Sequence, residues 1–284
     1  MSKNTINHIN YLTIGHITID IQKSGNSIGG TAAYSSKCAL ALGKFPAMLT
    51  SGNEEIIPQK FEDIQIIWKK SKNNTTFENI ETPNGRKQIL HAIAEPLLSI
   101  DVPKKLRDCS LVHLGPVANE VDPNIINIFP NSFIGLTPQG WMRSRDRDNI
   151  VKYHFWEHAE VLLNRANAVV LSIEDIKEDE GIIQSYANQT RVLVVTEGAN
   201  GARVYWNGDG RHFSAPKVHV NDMTGAGDIF ATAFFDKLER SKNPWESAKL
   251  AIQIASNSVA RKGLAGVPTN KEIRSFQTEI IEGK

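Results

Sequence analysis

An α/β fold built on a mainly parallel sheet is the architecture this chain predicts, and three observations carry the prediction. Short apolar runs suited to buried strands alternate with helical stretches. A glycine-rich turn leads straight into a segment with helical periodicity. A length of 284 residues, 40% of them hydrophobic and 22% charged, can bury a large core. Taken in order, Tyr11-Leu12-Thr13-Ile14-Gly15 reads as the first strand, and Thr31 to Leu42 as an Ala-rich helix stopped by Gly43. Further strands are expected at Leu111 to Leu114, Phe133 to Leu136, Ala168 to Leu171 and Val192 to Thr196, each followed by a helical stretch. Val218 to Val220 is a β-branched run that reads as another strand, while Ile229, Phe230, Ala233, Phe234 and Leu238 recur near the helical period. In such sheets ligands gather at the carboxyl ends of strands, where Gly15, Gly115 and Asp222 fall.

One region departs from this alternation. Thr75 to Ile80 alternates apolar and polar residues, Pro83-Asn84-Gly85-Arg86 carries an asparagine-glycine turn, and Lys87 to Ile93 alternates again, which predicts a β-hairpin projecting from the parallel core.

Composition narrows the function classes. A formal net charge of +1 speaks against a nucleic-acid-binding surface. The polar start MSKNTINHIN and the lack of any membrane-length apolar run predict a cytoplasmic protein with no membrane partner. Two isolated cysteines, Cys38 and Cys109, suggest neither a metal site nor a disulfide framework.

The chemistry concentrates in Asp222-Met223-Thr224-Gly225-Ala226-Gly227-Asp228. At a helix N-terminus the first backbone N–H groups lack intrahelical partners, the helix dipole favours negative charge, and glycines let the backbone approach a phosphate closely. Gly225, Ala226 and Gly227 are therefore candidates to cradle an anion, and Asp228 is placed to take the proton from a hydroxyl attacking it. The competing structural reading makes Thr224 an N-cap and Asp228 a first-turn acid complementing the dipole. Two aspartates around a small-residue turn leading into a buried helix favour phosphoryl transfer.

This motif resembles the D-T-T-G-A-G-D signature of the ribokinase-like (PfkB) family of carbohydrate kinases. The likeness extends from Gly15 through Gly29-Gly30 to Ser258-Val259-Ala260-Arg261-Lys262-Gly263. It implies a single ribokinase-like domain over residues 1–284, with a small β-sheet lid from residues 17–28 and 75–93. It implies an ATP-dependent kinase acting on a hydroxyl of a small sugar or polyol, with Mg²⁺ and K⁺ as ions, and it allows a homodimer. Asp20, Gly29, Gly30 and Tyr34 fall on the acceptor side; Thr196, Glu197, Gly198, Gly201 and Thr224 fall on the nucleotide side, where Thr196-Glu197-Gly198-Ala199-Asn200-Gly201 resembles the family's T-x-G-x-x-G turn. Asp222 is the candidate ligand for a monovalent cation.

The chain also departs from the family pattern. Tyr34 stands where many members have Asn, which removes a specific argument for ribose and offers a ring for stacking. Thr137-Pro138-Gln139-Gly140-Trp141-Met142-Arg143 looks like the Q-G-x-x-R of inositol-kinase-like members, with Gln139 toward the acceptor and Arg143 a candidate phosphate contact through its planar fork. The family's N-x-x-E appears as Ser172-Ile173-Glu174-Asp175, leaving Glu174 or Asp175 to hold the hydration shell of Mg²⁺. The adenine-region asparagine aligns with Ile252, so ATP would be held there by apolar contacts or the donor would differ. An inositol or nucleoside kinase, or a catalytically silent ligand-binding regulator on the same fold, are the alternatives.

Overall fold

The computed structural model describes residues 8–22, 25–56, 61–82 and 85–282. Its centre is a nine-stranded sheet made of β1 (Tyr11–Ile14), β4 (Pro46–Gly52), β5 (Gln65–Lys70), β8 (Leu111–Leu114), β9 (Phe133–Leu136), β12 (Ala168–Ser172), β13 (Val192–Thr196), β14 (Ala202–Trp206) and β15 (Asp209–Phe213), in the spatial order β15-β14-β13-β12-β9-β8-β1-β4-β5. From β13 to β5 every neighbouring pair is parallel, and β14 and β15 add an antiparallel edge.

Burial on both faces explains the near-continuous apolar strands. Leu12 and Ile14 of β1 and Val112 and Leu114 of β8 pack on one side with α2 (Ala159–Arg165) and α3 (Glu180–Gln189), where Leu162, Leu163 and Ile183 are buried. Tyr11 and Leu111 point the other way, toward α1 (Thr31–Ala41), α4 (Ala226–Ser241) and α5 (Pro244–Ser258). The C-terminal α6 (Asn270–Glu282) adds Ile273 to that side. Among the described residues no helix is long and apolar enough to cross a membrane.

Four strands form a separate sheet: β2 (Thr18–Ile21), β3 (Ser27–Gly29), β6 (Thr75–Thr82) and β7 (Gly85–Ala92), in the order β3-β2-β6-β7. The expected hairpin is therefore present as β6 and β7, and it shares a sheet with β2 and β3 from the stretch the lid was expected to include. Pro83 and Asn84 of the expected turn lie outside the described residues. A further hairpin, β10 (Arg143–Arg145) with β11 (Val151–Tyr153), is docked on the edge of β7: the Leu90 amide donates to the Asn149 carbonyl at 2.9 Å, and Ile89 bridges Ile150.

Three sequence expectations are corrected. Val218 to Val220 is not a strand; Val218 and Val220 are exposed, and among the described residues no ladder partner runs beside them. Their β-branched character reflects a local preference that only a neighbouring strand can turn into a ladder. The stretches after β8 and β9 are not full helices but the short 3-10 turns Pro123–Ile128 and Pro138–Met142, each opened by a proline at the first helical position. After β13 the chain turns back as β14, because Gly198 and Gly201 both adopt positive φ and reverse it.

Candidate functional site

Helix α4 starts where the sequence places it, with Gly225 as N-cap at φ 78. The left-handed conformation is one requirement for glycine there; the other is space, since a Cβ would lie 2.2 Å from Cδ1 of Tyr34. The turn before it is held by Asp222, whose carboxylate accepts the Thr224 amide at 2.9 Å and the Gly263 amide at 2.8 Å. Burial pushes the Asp222 carboxyl up, but these hydrogen bonds together with Lys262 outweigh it and hold it below its ordinary range. The amides of Asn221 and Asp222 donate to the Val259 carbonyl, tying the motif to the end of α5. Both oxygens of Asp222, the candidate cation ligand, are thus engaged in shaping the turn.

The expected anion cradle is narrower than the three small residues suggest. The Ala226 amide donates back to the Met223 carbonyl at 3.2 Å. Gly227 and Asp228 follow in the first helical turn, where N–H groups have no intrahelical acceptor, and a Cβ on Gly227 would meet nothing within 4 Å. The face of the turn at Gly227 is therefore open for an anion to approach.

Asp228 is only partly exposed, and burial pushes its carboxyl up to about 6. A hydrogen bond from the Thr31 side chain and the charge of Arg143 pull it down, while Asp175 pushes it up further. Three other chain segments thereby converge on this carboxylate. Thr31 opens α1 directly after Gly29-Gly30, Arg143 begins β10, and Asp175 lies in the short turn Ile173–Ile176 after β12. Thr31 reaches its place because Gly115, at the end of β8, has no side chain: a Cβ there would stand 2.2 Å from Thr31 Cγ2.

The other candidate acceptor residues are each held by local contacts. Asp20, at the end of β2, is buried; its Oδ1 accepts the Thr18 hydroxyl at 3.0 Å, and its Oδ2 lies over Gly29, where a Cβ would stand 2.4 Å away. Gly30, at φ 89, is the N-cap of α1. Gln139 donates to Asp175 at 2.9 Å, and the second Asp175 oxygen accepts the Ser172 amide at 3.0 Å. Glu174 is exposed. Among the described residues no group of three or more His, Cys, Asp or Glu could hold a metal. The nearby carboxylates Asp175 and Asp228 suit an ion that keeps most of its waters and draws its other ligands from phosphate.

Tyr34 takes a different place from the one its ring suggested. It is 1% exposed, with its ring face against Gly225 beneath the turn, and its hydroxyl has no hydrogen-bond partner among the described residues. Burial, with Asp222, Asp228 and Asp20 around it, raises its pKa. Its proximity to all three aspartates marks the floor of the site.

Of the five candidate nucleotide residues, Thr196, Glu197, Gly198 and Gly201 lie at the end of β13 and in the turn after it, while Thr224 lies in the turn before α4. Thr196 donates its hydroxyl to Leu171, and Glu197 accepts Arg203 at 2.7 Å. At Gly198 a Cβ would meet nothing within 4 Å, whereas at Gly201 it would collide with the Phe213 carbonyl. Gly198 thus leaves backbone open, while Gly201 serves the close packing of β14 and β15. Ile252 is buried in α5.

Three residues escaped sequence reasoning. Thr31 carried a signal in its position after the glycine pair. Glu120 and His16 carried none, because an isolated buried acid or imidazole has no local pattern. Glu120 accepts the amides of His16, Val117 and Ala118, all within 3.0 Å, and so pins the loop after β8 to the end of β1. His16, its pKa lowered by burial, bridges the Thr75 hydroxyl and the Glu95 carbonyl, tying β1 to the small sheet.

Comparison with known proteins agrees with this fold. The model of the pfkB family carbohydrate kinases matches residues 154–270. A cytidine kinase of Thermococcus kodakarensis is 22% identical over 290 residues, covering 90% of this chain and 98% of that protein. The inositol 3-kinase of Zea mays is 35% identical over 94 residues, 32% of this chain and 24% of that one. In fold, the chain is similar to ribokinase from Thermotoga maritima (TM-score 0.74, 18% identity, 95% of this chain and 99% of that one). It is also similar to a pyrophosphate-dependent kinase of the ribokinase family solved with a pyrophosphate analog and myo-inositol (TM-score 0.77, 19% identity, 93% and 99%).

Proposed function

From a chain that joins a ribokinase-like fold to a pfkB-family carbohydrate kinase match, we propose an ATP-dependent kinase that phosphorylates a hydroxyl of a small polyhydroxylated acceptor. The observation that supports it best is Asp228: a carboxyl raised to about 6, in the first turn of α4, hydrogen-bonded by Thr31 and flanked by Arg143 and Asp175.

Each neighbour has a task in such a reaction. A general base works best with a pKa near the operating pH, and a carboxyl near 6 is ionised at neutral pH yet far more basic than an ordinary aspartate. The Thr31 hydroxyl orients the carboxylate. The open first turn of α4 offers backbone N–H groups to the transferred group, and Arg143 adds a positive charge where negative charge accumulates. Asp20 accepts acceptor hydroxyls from the opposite side, as a carboxylate with several lone pairs can. Mg²⁺, when bound through water to Asp175, would neutralise donor phosphate charge. The small sheet β3-β2-β6-β7 is assigned as the lid that keeps water from competing with the acceptor.

The test is direct phosphoryl transfer. The protein is incubated with Mg²⁺, either ATP or pyrophosphate, and a panel of sugars, inositols and nucleosides, and phosphate esters are read by ³¹P NMR. A monophosphate ester should form, and Asp228→Asn should lower its rate roughly 10²–10⁴-fold. No ester with any acceptor, or near-normal turnover by the variant, refutes the reading. The two donor arms decide whether the site takes a nucleotide, since Ile252 leaves no side-chain hydrogen bond for an adenine at that position.

A further inference from the structure

Beneath Asp228 a row of buried polar groups crosses a layer that is otherwise apolar. Tyr11 of β1, His113 of β8 and Thr232 of α4 are fully buried, among Leu111, Phe234 and Phe235. The His113 ring meets Phe235 edge-on, with centroids 5.0 Å apart. Thr137, just after β9, closes the row. The contacts run without a gap: Thr137 Oγ1 to His113 Nε2 at 2.9 Å, His113 Nδ1 to the Tyr11 hydroxyl at 3.1 Å, Tyr11 to the Thr232 side chain, and Thr232 to the Asp228 carbonyl at 2.8 Å.

Hydrogen count fixes the direction of every bond. A carbonyl only accepts, so the Thr232 hydroxyl spends its one hydrogen on Asp228. Tyr11 must then donate to Thr232, which leaves its oxygen to accept from His113. Burial pushes the His113 pKa down to about 3, so the ring is neutral at physiological pH and carries one N–H. That hydrogen sits on Nδ1, Nε2 is bare, and Thr137 donates to it. Every hydroxyl and imidazole hydrogen of the row is thereby used, and all of them point toward the first turn of α4.

Both ends of the row belong to the candidate site. One is the carbonyl of Asp228 itself. The other, Thr137, starts the turn Pro138–Met142, which carries Gln139, the donor to Asp175, and delivers Arg143. Arg143 and Asp175 are the charges that act on the Asp228 carboxyl. Polar groups in an apolar layer are costly unless each is paired, and a fully paired chain fixes one geometry more sharply than apolar packing does. We infer that this row is a positioning device: with His113 at its centre, it holds Asp228 in place relative to the turn that carries Gln139 and Arg143. His113 and Tyr11 act through Asp228 as positioning residues, and the inference rests on the kinase reading for what Asp228 does.

The first test needs no substrate. In ¹⁵N NMR of the histidine-labelled protein, His113 should carry its hydrogen on Nδ1, the tautomer less favoured in water, and should stay neutral from about pH 5 to pH 9. A hydrogen on Nε2, or a ring that titrates in that range, overturns the inference. The second test is kinetic. Tyr11→Phe removes one oxygen and with it the link between His113 and Thr232. With an acceptor that the parent phosphorylates, kcat should fall roughly 10-fold while KM stays within about twofold, since a misplaced base is felt in the transition state. In the same variant the His113 hydrogen should move to Nε2, where the Thr137 oxygen can accept it. His113→Leu should lower kcat at least as much, and His113→Gln, which can still donate and accept, should recover part of it. An unchanged kcat in Tyr11→Phe, or a loss confined to KM, overturns the inference and leaves the kinase reading intact. A hydrogen on Nδ1 in a parent protein that forms no ester with any acceptor upholds the row as a fixture of the Asp228 turn and refutes the kinase.

Discussion

Replacing Asp228 by Asn should make the protein more stable at alkaline pH while nearly abolishing its activity. The carboxyl is pushed up to about 6, chiefly by burial, against roughly 3.9 in an unfolded chain. Between about pH 4 and 6 the folded protein therefore binds more protons than the unfolded one. The stability that a neutral carboxyl contributes is full below about pH 4 and is lost as the pH rises through 6. At about 1.4 kcal/mol per unit, the ionised carboxylate costs about 3 kcal/mol at pH 8. Because Asp228 is only partly buried and water screens some of this, the expected gain for the variant is about 1–3 kcal/mol. Asn is uncharged at every pH and can still accept the Thr31 hydroxyl, so the variant should melt roughly 2–8 °C higher than the parent at pH 8. The difference should vanish near pH 4. Thermal unfolding of both proteins from pH 4 to pH 8 measures it. An equal Tm at pH 8, or a gain of the same size at pH 4 and pH 8, would show that Asp228 is not held in the folded state at the cost argued here.

Three further outcomes follow from the same geometry. With Asp228 as the base, kcat/KM should rise with pH through about 6 and level off above it, because only the ionised form accepts a proton; a profile that falls across that range is incompatible with the role. Gly225→Ala should lower stability by about 2–4 kcal/mol in denaturant titration, since φ 78 disfavours an L-residue and the new methyl meets the Tyr34 ring; an unchanged midpoint would mean the turn adapts. Acceptor binding should increase hydrogen-exchange protection in β6 and β7, around Asp20, and at residues 149–150 where the β10–β11 hairpin grips β7; protection near Asp228 without any in β7 would show that this sheet is not the lid.

Much of the fold was legible because buried strands and amphipathic helices carry periodic signals. Phe133–Leu136 and Val192–Thr196 form where their apolar runs lie, and α1 ends at Ala41, just short of the expected stop at Gly43. Helix α4 was legible for a further reason, as its glycines and aspartates are local requirements of a tight helix start. Val218 to Val220 shows the limit of local preference: the residues favour a strand, yet a ladder needs a partner elsewhere in the chain. The corner roles of Glu120 and His16 were invisible for the same reason, since their partners are 104 and 59 residues away.

By itself the sequence determined the class of fold, the glycine-aspartate turn and Asp228 as the group to watch, because each depends on residues adjacent along the chain. Only the tertiary structure decided what surrounds that carboxylate. Burial raises it to about 6, Thr31 orients it, Arg143 and Asp175 act on it with opposite sign, and Tyr34 lies under the turn rather than in the open cleft. A pKa is a sum over neighbours and solvent within several ångströms. Here those neighbours come from chain segments almost two hundred residues apart, brought together by the order of strands in the sheet.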